Sequence, residues 1–556
     1  MQCVRFFAAS LFAALATTTA ITTNAQTVWI STATQCISVS QLASAADYGP
    51  ASPTQAITVR VALNLQNQAA LNTWIQNIND TTNALYGQSL TPAQFAATYA
   101  PSNAQVQQVV SYLQSQGFDN VTVEPNNLLI SADGTVAQAS AAFNTPIEQF
   151  AQLGNIVYGN TANAQVPASL GGIVAAVLGL NTIGQMKPMI VTQASVSAPQ
   201  YAVSYDPQQF WQIYSANGVP AASKASIAIM AEGDLTQVLS DFKAAEATWG
   251  FPSFPVTVVP VGIASTDTSG VDEWDLDTQY STGMAGGQVK HLYLYDATSM
   301  TDSDLALDFS RWVTDDKARV ANASFGECEI FPYLDGSMLA DDELFAEGAA
   351  QGQTLFSSTG DTGSFCPAEV GENGVPAGVP MVNYPATSQY VMAVGGTTLL
   401  TNSDGNYDIE TAWYAGGGGI SQFEYSPYWQ TAANVPSSEL GDKGDPDIAM
   451  DADPESGANI YYDGAWEGVG GTSLSSPLAV GVWARMITAN PKLGFAPITY
   501  YGLYDGTGAV GAYPNGGFHD IITGCDGLYC AAPGWDYTTG LGTLWVNQLY
   551  ADLQSR

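Results

Sequence analysis

The chain has 556 residues, 46% of them hydrophobic and 11% charged, with 12 Trp, 27 Tyr and 20 Phe. That length exceeds one hydrophobic core, so two or more domains are expected, and the apolar and aromatic content excludes a mostly disordered chain. With 50 acidic residues against 13 basic ones the net charge is −37 at pH 7, which repels phosphate backbones and anionic lipid and excludes nucleic acid and membrane surfaces as natural partners. The same imbalance removes most positive self-repulsion in acid, so composition favours an acidic working environment over that of an ordinary soluble secreted protein.

The first 25 residues read as a secretory signal: Arg5, the short apolar run Phe6–Ala16, and Thr23-Asn24-Ala25 as a cleavage site. The product is expected outside the cell. No later stretch reaches the ~18 uninterrupted apolar residues of a membrane span. From about Ala56 to Leu180 a small α/β pattern follows. Strands are expected at Ala56–Leu63, Val121–Val123, Leu128–Ile130 and Ile147–Ala151; helices are expected at Gln68–Ile78, from Thr91, at Asn103–Gln116 and at Val136–Phe143. Between Gly184 and Ser204 the pattern dissolves into Thr, Ser, Ala, Gln and Pro, a linker composition open to proteolysis. From Ala225 onward strands and helices alternate: Ile227–Met230, Leu235–Trp249, Val256–Val259, Asp272–Met284, Lys290–Tyr295, Asp302–Asp315, Val320–Ser324, Gly336–Ala350, Thr354–Ser358 and Tyr390–Val394. Such alternation predicts a mostly parallel sheet with helices on both faces.

Cys3 leaves with the signal, and Cys36 stands apart from the remaining four in sequence. Those four, Cys328, Cys366, Cys525 and Cys530, allow three pairings, and sequence alone does not choose. Cys525–Cys530 as a local loop and Cys328–Cys366 as a longer staple are favoured over metal binding, given export and the lack of Cys-x-x-Cys.

Three segments carry chemistry. Gly470-Gly471-Thr472-Ser473-Leu474-Ser475-Ser476-Pro477 opens an apolar helix, with Pro477 expected in its first turn. Ser473 there lies near the positive end of the helix dipole and suits a nucleophile, although an ordinary helix cap reads the same way. A base is needed, and the only histidines, His291 and His519, lie in no catalytic motif. Glu273 and Asp277 offer another route: at i and i+4 they share one helix face, with Asp275 on another. Two adjacent carboxyls have pKa values pushed apart and hold one proton between them; a solvated acidic face is the plainer alternative. Asp361 follows a strand in the glycine-flanked turn Ser358-Thr359-Gly360-Asp361-Thr362-Gly363. Protonated, it can donate to an oxyanion; otherwise it is an Asx turn.

Together these segments resemble the sedolisins, the serine-carboxyl peptidases, over nearly the whole chain. The resemblance rests on Gly-Thr-Ser-x-x-x-Pro at Gly471–Pro477, Glu-x-x-x-Asp at Glu273 and Asp277, and Ser-x-Gly-Asp-x-Gly at Ser358–Gly363. It implies a subtilisin-like peptidase domain at 205–556, a small α/β (ferredoxin-like) activation prodomain at 26–183, and a processing site in the linker 184–204. It implies Ser473 as nucleophile, Glu273 as base, Asp277 as its supporting acid and Asp361 as the oxyanion-stabilising acid. It further implies one Ca2+ ion held by Asp520, Ile521, Ala532, Gly534 and Asp536, an oxygen donor set that suits a hard cation. In kumamolisin-like members a glutamate and a tryptophan extend the network behind the acid pair. Glu232 matches the first, but Phe325 stands at the second and has no N–H to donate.

The function implied is a secreted endopeptidase acting on protein or peptide substrates. It is a monomer, made as a zymogen with its own prodomain as intramolecular inhibitor. A carboxylate base works below about pH 5, where histidine is mostly protonated, giving an optimum between about pH 3 and 5. Acid protonation of carboxylates at the prodomain interface is the expected release trigger. The competing readings are a non-catalytic, calcium-stabilised secreted binding protein with the same fold, and a Ser-His-Asp hydrolase using His291 or His519.

Overall fold

A computed structural model describes residues 27–36, 46–152, 155–193, 203–370, 376–436, 441–504, 517–554 and 556. The signal segment, with Cys3 and the Thr23-Asn24-Ala25 cleavage site, lies outside the described residues, as does 194–202 of the linker.

The N-terminal part builds a four-stranded antiparallel sheet from β1 (Ala56–Leu63), β2 (Asp119–Val123), β3 (Leu129–Thr135) and β4 (Val174–Leu178), in the order β2-β3-β1-β4. Helices α1 (Gln68–Asn79), α2 (Pro92–Tyr99) and α3 (Asn103–Ser115) lie between β1 and β2, and α4 (Val136–Ala142) follows β3. The sheet order and the placing of α3 and α4 give the ferredoxin-like arrangement. Three of these helices start with a reciprocal side-chain cap: Thr91 with Gln94, Ser102 with Gln105 and Thr135 with Gln138. On one side Val59, Val61, Val106, Val109, Leu113 and Phe143 form a separate core. On the other, small residues of the sheet (Ala62, Ala176) pack onto Ala306 and Ala340 of the larger domain.

The larger domain is built on β5 (Ser226–Glu232), β6 (Val256–Pro260), β7 (His291–Ala297), β8 (Val320–Ala323), β9 (Thr354–Ser358), β10 (Val391–Thr401), β11 (Tyr407–Ala412), β12 (Ile448–Asp451), β13 (Phe518–His519) and β14 (Thr543–Leu544). The sheet order is β6-β7-β5-β8-β9-β10-β12-β14-β13, with β11 paired off β10. All pairings are parallel except those made by β11 and β13. Every residue of β5 is buried, which requires cover on both faces of the sheet. The longer helices are α5 (Thr236–Trp249), α6 (Val271–Met284), α7 (Asp302–Asp315), α8 (Ser337–Ala350) and α9 (Thr472–Ala489). α9 packs against α6 and the middle of the sheet, while α7 and α8 pack together and receive the N-terminal sheet.

Two expectations need correction. Pro477 is the sixth residue of α9 and sits inside it, not in its first turn. The N–H it lacks would have met the carbonyl of Ser473, which instead faces the Ser324 hydroxyl at 3.5 Å. The first part of the linker is also not an exposed strand of loop. Lys187–Pro188 pairs antiparallel with Phe325–Gly326, and Val191–Thr192 pairs with Val469–Gly470, which buries Met186 and Met189. Extended backbone pairs with any open strand edge whatever its side chains, so composition alone misread this segment. The disulfides form as favoured, Cys328–Cys366 and Cys525–Cys530.

Candidate active site

Ser473 is the second residue of α9, where helix N–H groups have no intrahelical acceptor. Its Oγ donates to Glu273 Oε2 at 2.8 Å and lies 3.2 Å from the carbonyl oxygen of Ser324. Glu273 is in the first turn of α6, and Asp277 lies one turn further on. Every residue of α6 from Glu273 to Met284 is buried, which removes the solvated-face reading. Glu273 Oε1 and Asp277 Oδ2 are buried and accept no hydrogen bond from the protein. Burial first, then the Asp277 charge, holds the Glu273 carboxyl well above the ordinary range. Burial also raises Asp277, against hydrogen bonds from Ser324 and Asn322 that pull it down. Two facing carboxyls of this kind hold one proton between them. Asp275 points away from the pair; burial and neighbouring Asp241 push it up to about 9.

Asp361 follows β9, in a turn where Gly360 and Gly363 have φ of 106° and 62°. Its Oδ1 accepts from the N–H and hydroxyl of Thr472 at 2.7 and 2.8 Å, which ties the turn to the start of α9. Its Oδ2 is buried with no partner, and burial pushes the carboxyl up to about 7. It is therefore a neutral acid below that pH, with one O–H free to donate.

The sequence reading missed the residues behind the acid pair. Ser476 Oγ donates to Asn322 Oδ1 at 2.6 Å, Asn322 Nδ2 to Ser324 Oγ at 2.8 Å, and Ser324 Oγ to Asp277 Oδ1 at 2.6 Å. Their signal was present as polar residues ending the apolar strand Val320–Ala323. Phe325 packs edge-on against Trp274, whose indole donates to the Glu232 backbone carbonyl, while Glu232 Oε1 accepts from Ser265. Phe325 donates no hydrogen bond to the acid pair, as its side chain requires, and the hydrogen bond behind Asp277 comes instead from the Ser476–Asn322–Ser324 relay.

The histidines are engaged elsewhere. His291 bonds Thr257 at 2.8 Å and stacks on Tyr293; His519 is sandwiched between Tyr407 and Trp545, where burial lowers it to about 4.

At the expected calcium positions, both Asp520 oxygens accept from Gly534 N at 3.2 and 3.0 Å, and Asp536 Oδ2 accepts from Ala532 N at 2.9 Å. The Asp520–Gly534 bonds join the two loops; burial first, and then the Asp536 charge, raises the Asp520 carboxyl. Two carboxylates in adjoining loops are oxygen donors of the kind a hard cation takes, and the carbonyls of Ile521, Ala532 and Gly534 would be its main-chain ligands. No cluster of three or more His, Cys, Asp or Glu forms among the described residues, so main-chain oxygens would complete such a shell. Asp526, inside the Cys525–Cys530 loop, accepts from the Ser364 hydroxyl and N–H. It thereby links these loops to the turn that carries Asp361.

The description "Pro-kumamolisin, activation domain" matches residues 43–183 and "Subtilase family" matches 263–501. Sedolisin of Pseudomonas sp. (strain 101) is 39% identical over 89% of this chain and 86% of its own length. The chain belongs to the sedolisin family. Xanthomonalisin of Xanthomonas sp. (strain T-22) is 34% identical over 88% of this chain and 65% of its own. The solved structure of Pseudomonas sedolisin, described as a serine-carboxyl proteinase complexed with two molecules of pseudo-iodotyrostatin, is 37% identical. It superposes with a TM-score of 0.59 over 64% of this chain and 99% of that one. The chain is thus a sedolisin-type serine-carboxyl peptidase with a subtilisin-like fold and an activation prodomain, and no described helix is long and apolar enough to cross a membrane.

Proposed function

We propose that this sedolisin is a secreted, monomeric endopeptidase that works in acid. It is made as a zymogen with a prodomain at 26–183, a linker at 184–204 and a peptidase domain from 205. The observation that carries the reading is the 2.8 Å bond from Ser473 Oγ to Glu273, with Asp277 behind it and the free oxygen of Asp361 buried beside it.

Ser473 attacks the scissile carbonyl while Glu273 takes its proton. Asp277, carrying the proton the pair shares, orients Glu273 and spreads its charge. The tetrahedral oxyanion accepts hydrogen bonds from the Ser473 N–H and the neutral Asp361. Glu273 then protonates the leaving amine. Loss of the Asp361 proton as pH rises through about 7 puts an ionised carboxylate against the oxyanion, which sets an upper limit on activity.

The prodomain inhibits by covering the domain it precedes. Its Leu65 N–H and Asn126 amide donate to Glu343 and Glu347 of α8, and Arg60 pairs with Asp304 at 2.6 Å. Burial pushes Glu343 and Glu347 up to about 8, so in acid they meet the prodomain as neutral acids. Asp520 and Asp536, with the carbonyls of Ile521, Ala532 and Gly534, would hold a calcium ion, which would supply charge neutralisation and a cross-link between the two loops and take part in no chemical step.

The test is a pH jump. Precursor purified at neutral pH is taken to about pH 4, and chain length and casein digestion are followed beside Ser473→Ala. Shortening and activity in wild type alone are expected. Equal digestion by the variant would sink the assignment.

A further inference from the structure

The segment following the prodomain lies in the site as a substrate does. On one side Lys187–Pro188 pairs with Phe325–Gly326, and on the other Val191–Thr192 pairs with Val469–Gly470, the strand that runs directly into Ser473. Between these two anchors the Met189 N–H donates to Ser324 O at 3.1 Å, the oxygen that also lies 3.2 Å from Ser473 Oγ. The Met189 carbonyl oxygen accepts the Ser473 N–H at 3.3 Å. A Cβ on Gly471 (φ 97°) would fall 2.2 Å from that oxygen and 2.6 Å from Asp361 Oδ2. The carbonyl oxygen and the free carboxyl oxygen therefore meet over a glycine that alone leaves them room.

The Met189 side chain is enclosed as well. Its sulfur faces the Ser358 hydroxyl at 3.2 Å and the Thr472 hydroxyl at 4.0 Å. A Cβ on Gly326 would fall 2.7 Å from its terminal methyl. The pocket is thus narrow, closed at its end by glycine backbone, and supplied with the Ser358 hydroxyl as a donor for a soft acceptor. That shape admits an unbranched apolar side chain and disfavours a β-branched one, whose second γ-carbon stands beside the backbone pairing.

We infer that Met189–Ile190 is the first bond this zymogen cleaves, within its own molecule, and that the pocket filled by Met189 sets a preference for methionine-like residues on the acyl side of the cut. The inference rests on the serine-carboxyl reading above and goes beyond it by naming the bond and the pocket. In the step, Ser473 Oγ bonds to the Met189 carbonyl carbon and its proton passes to Glu273. The bond to the Ile190 nitrogen breaks as Glu273 returns that proton to the amine. Water then adds to the acyl-enzyme, giving up one proton through Glu273 to the departing Ser473 Oγ. A carboxylic acid at Met189 and a free amine at Ile190 remain. Later cuts nearer the peptidase domain complete maturation.

The test is mass spectrometry of the earliest fragments after full-length precursor is acidified. The expected result is a fragment ending at Met189 and one beginning at Ile190, formed at a rate that does not change with precursor concentration. Ile190→Pro and Met189→Val each slow that cut by at least ~10-fold, the scale of a misfit in a specificity pocket. A synthetic peptide of residues 184–193 given to activated enzyme asks the same question without altering the precursor. It is cut between Met189 and Ile190, and its Met189→Val form is cut at least ~10-fold more slowly. A wild-type precursor that cuts itself first at another bond, or a Val peptide cut as fast as the Met one, overturns the inference and leaves the serine-carboxyl reading intact. A Ser473→Ala precursor that shortens like wild type overturns that reading, and the inference with it.

Discussion

Replacing Asp361 separates its two jobs. Oδ1 holds the first turn of α9 through Thr472, while Oδ2 is buried and free beside the carbonyl oxygen that Ser473 N–H binds. Asp361→Ala removes one of two oxyanion donors, and loss of one such donor costs about 10²–10³ in rate, or roughly 2.7–4 kcal/mol. Asp361→Asn keeps an acceptor for Thr472 and presents an N–H₂ where the carboxylic O–H was. It is expected to stay within about tenfold of wild type in acid, since a neutral donor remains. The two differ in pH dependence too. Burial raises Asp361 to about 7, so its donated proton is present below that pH and lost above it, whereas the amide keeps its hydrogens throughout. The ratio of Asp361→Asn to wild-type rate should therefore rise between pH 6 and 8. The assay is the first-order rate at which acidified precursor shortens, read by gel densitometry and repeated across pH. An Asp361→Ala precursor that shortens at half the wild-type rate or better would refute the oxyanion role. So would an Asn variant as slow as the Ala one.

Other expectations follow from the same groups. Glu327, Glu329 and Asp526 are raised by burial to about 8, 8 and 7. Their contribution to stability is fully present below the unfolded carboxyl range near pH 4 and is lost as pH rises through 7 to 8, each tenfold difference in proton affinity between folded and unfolded chain being worth about 1.4 kcal/mol. Ser473→Ala precursor should accordingly melt at a higher temperature at pH 4.5 than at pH 8 by scanning calorimetry; a flat or inverted profile contradicts this. Ser324→Ala removes the hydroxyl that lowers Asp277 and joins it to Asn322. It should reduce kcat by about tenfold with KM little changed and leave the alkaline limb, set by Asp361, where it is, whereas a raised KM with kcat kept would mark a packing role only. Chelating Ca2+ should lower the melting temperature by several degrees, and Asp520→Asn should abolish that dependence, because a ligand bound only by the folded state stabilises it by mass action.

The four residues proposed for catalysis were legible because they sit in three local patterns: a small-residue helix start at Ser473, the i, i+4 acidic pair Glu273 and Asp277, and the glycine-flanked turn after a strand at Asp361. Helix and strand periodicity likewise placed Asp302–Asp315, Thr354–Ser358 and Ala56–Leu63 with the bounds they have. The relay Ser476–Asn322–Ser324 was not legible, because its members come from α9 and the end of β8 and meet only across 154 positions of chain. The linker failed for a related reason. Its composition describes what an isolated segment prefers, while its path is decided by two strand edges brought beside it from residues 325–326 and 469–470.

By itself, then, the sequence determined the chemistry available: carboxylates and a serine in place of a histidine couple, a charge balance suited to acid, and two domains. The tertiary structure alone decided which of 50 acidic residues lose water. Burial comes from elements distant in sequence, and it separates Glu273, Asp277 and Asp361, held protonated or sharing a proton, from the many carboxylates that remain solvated.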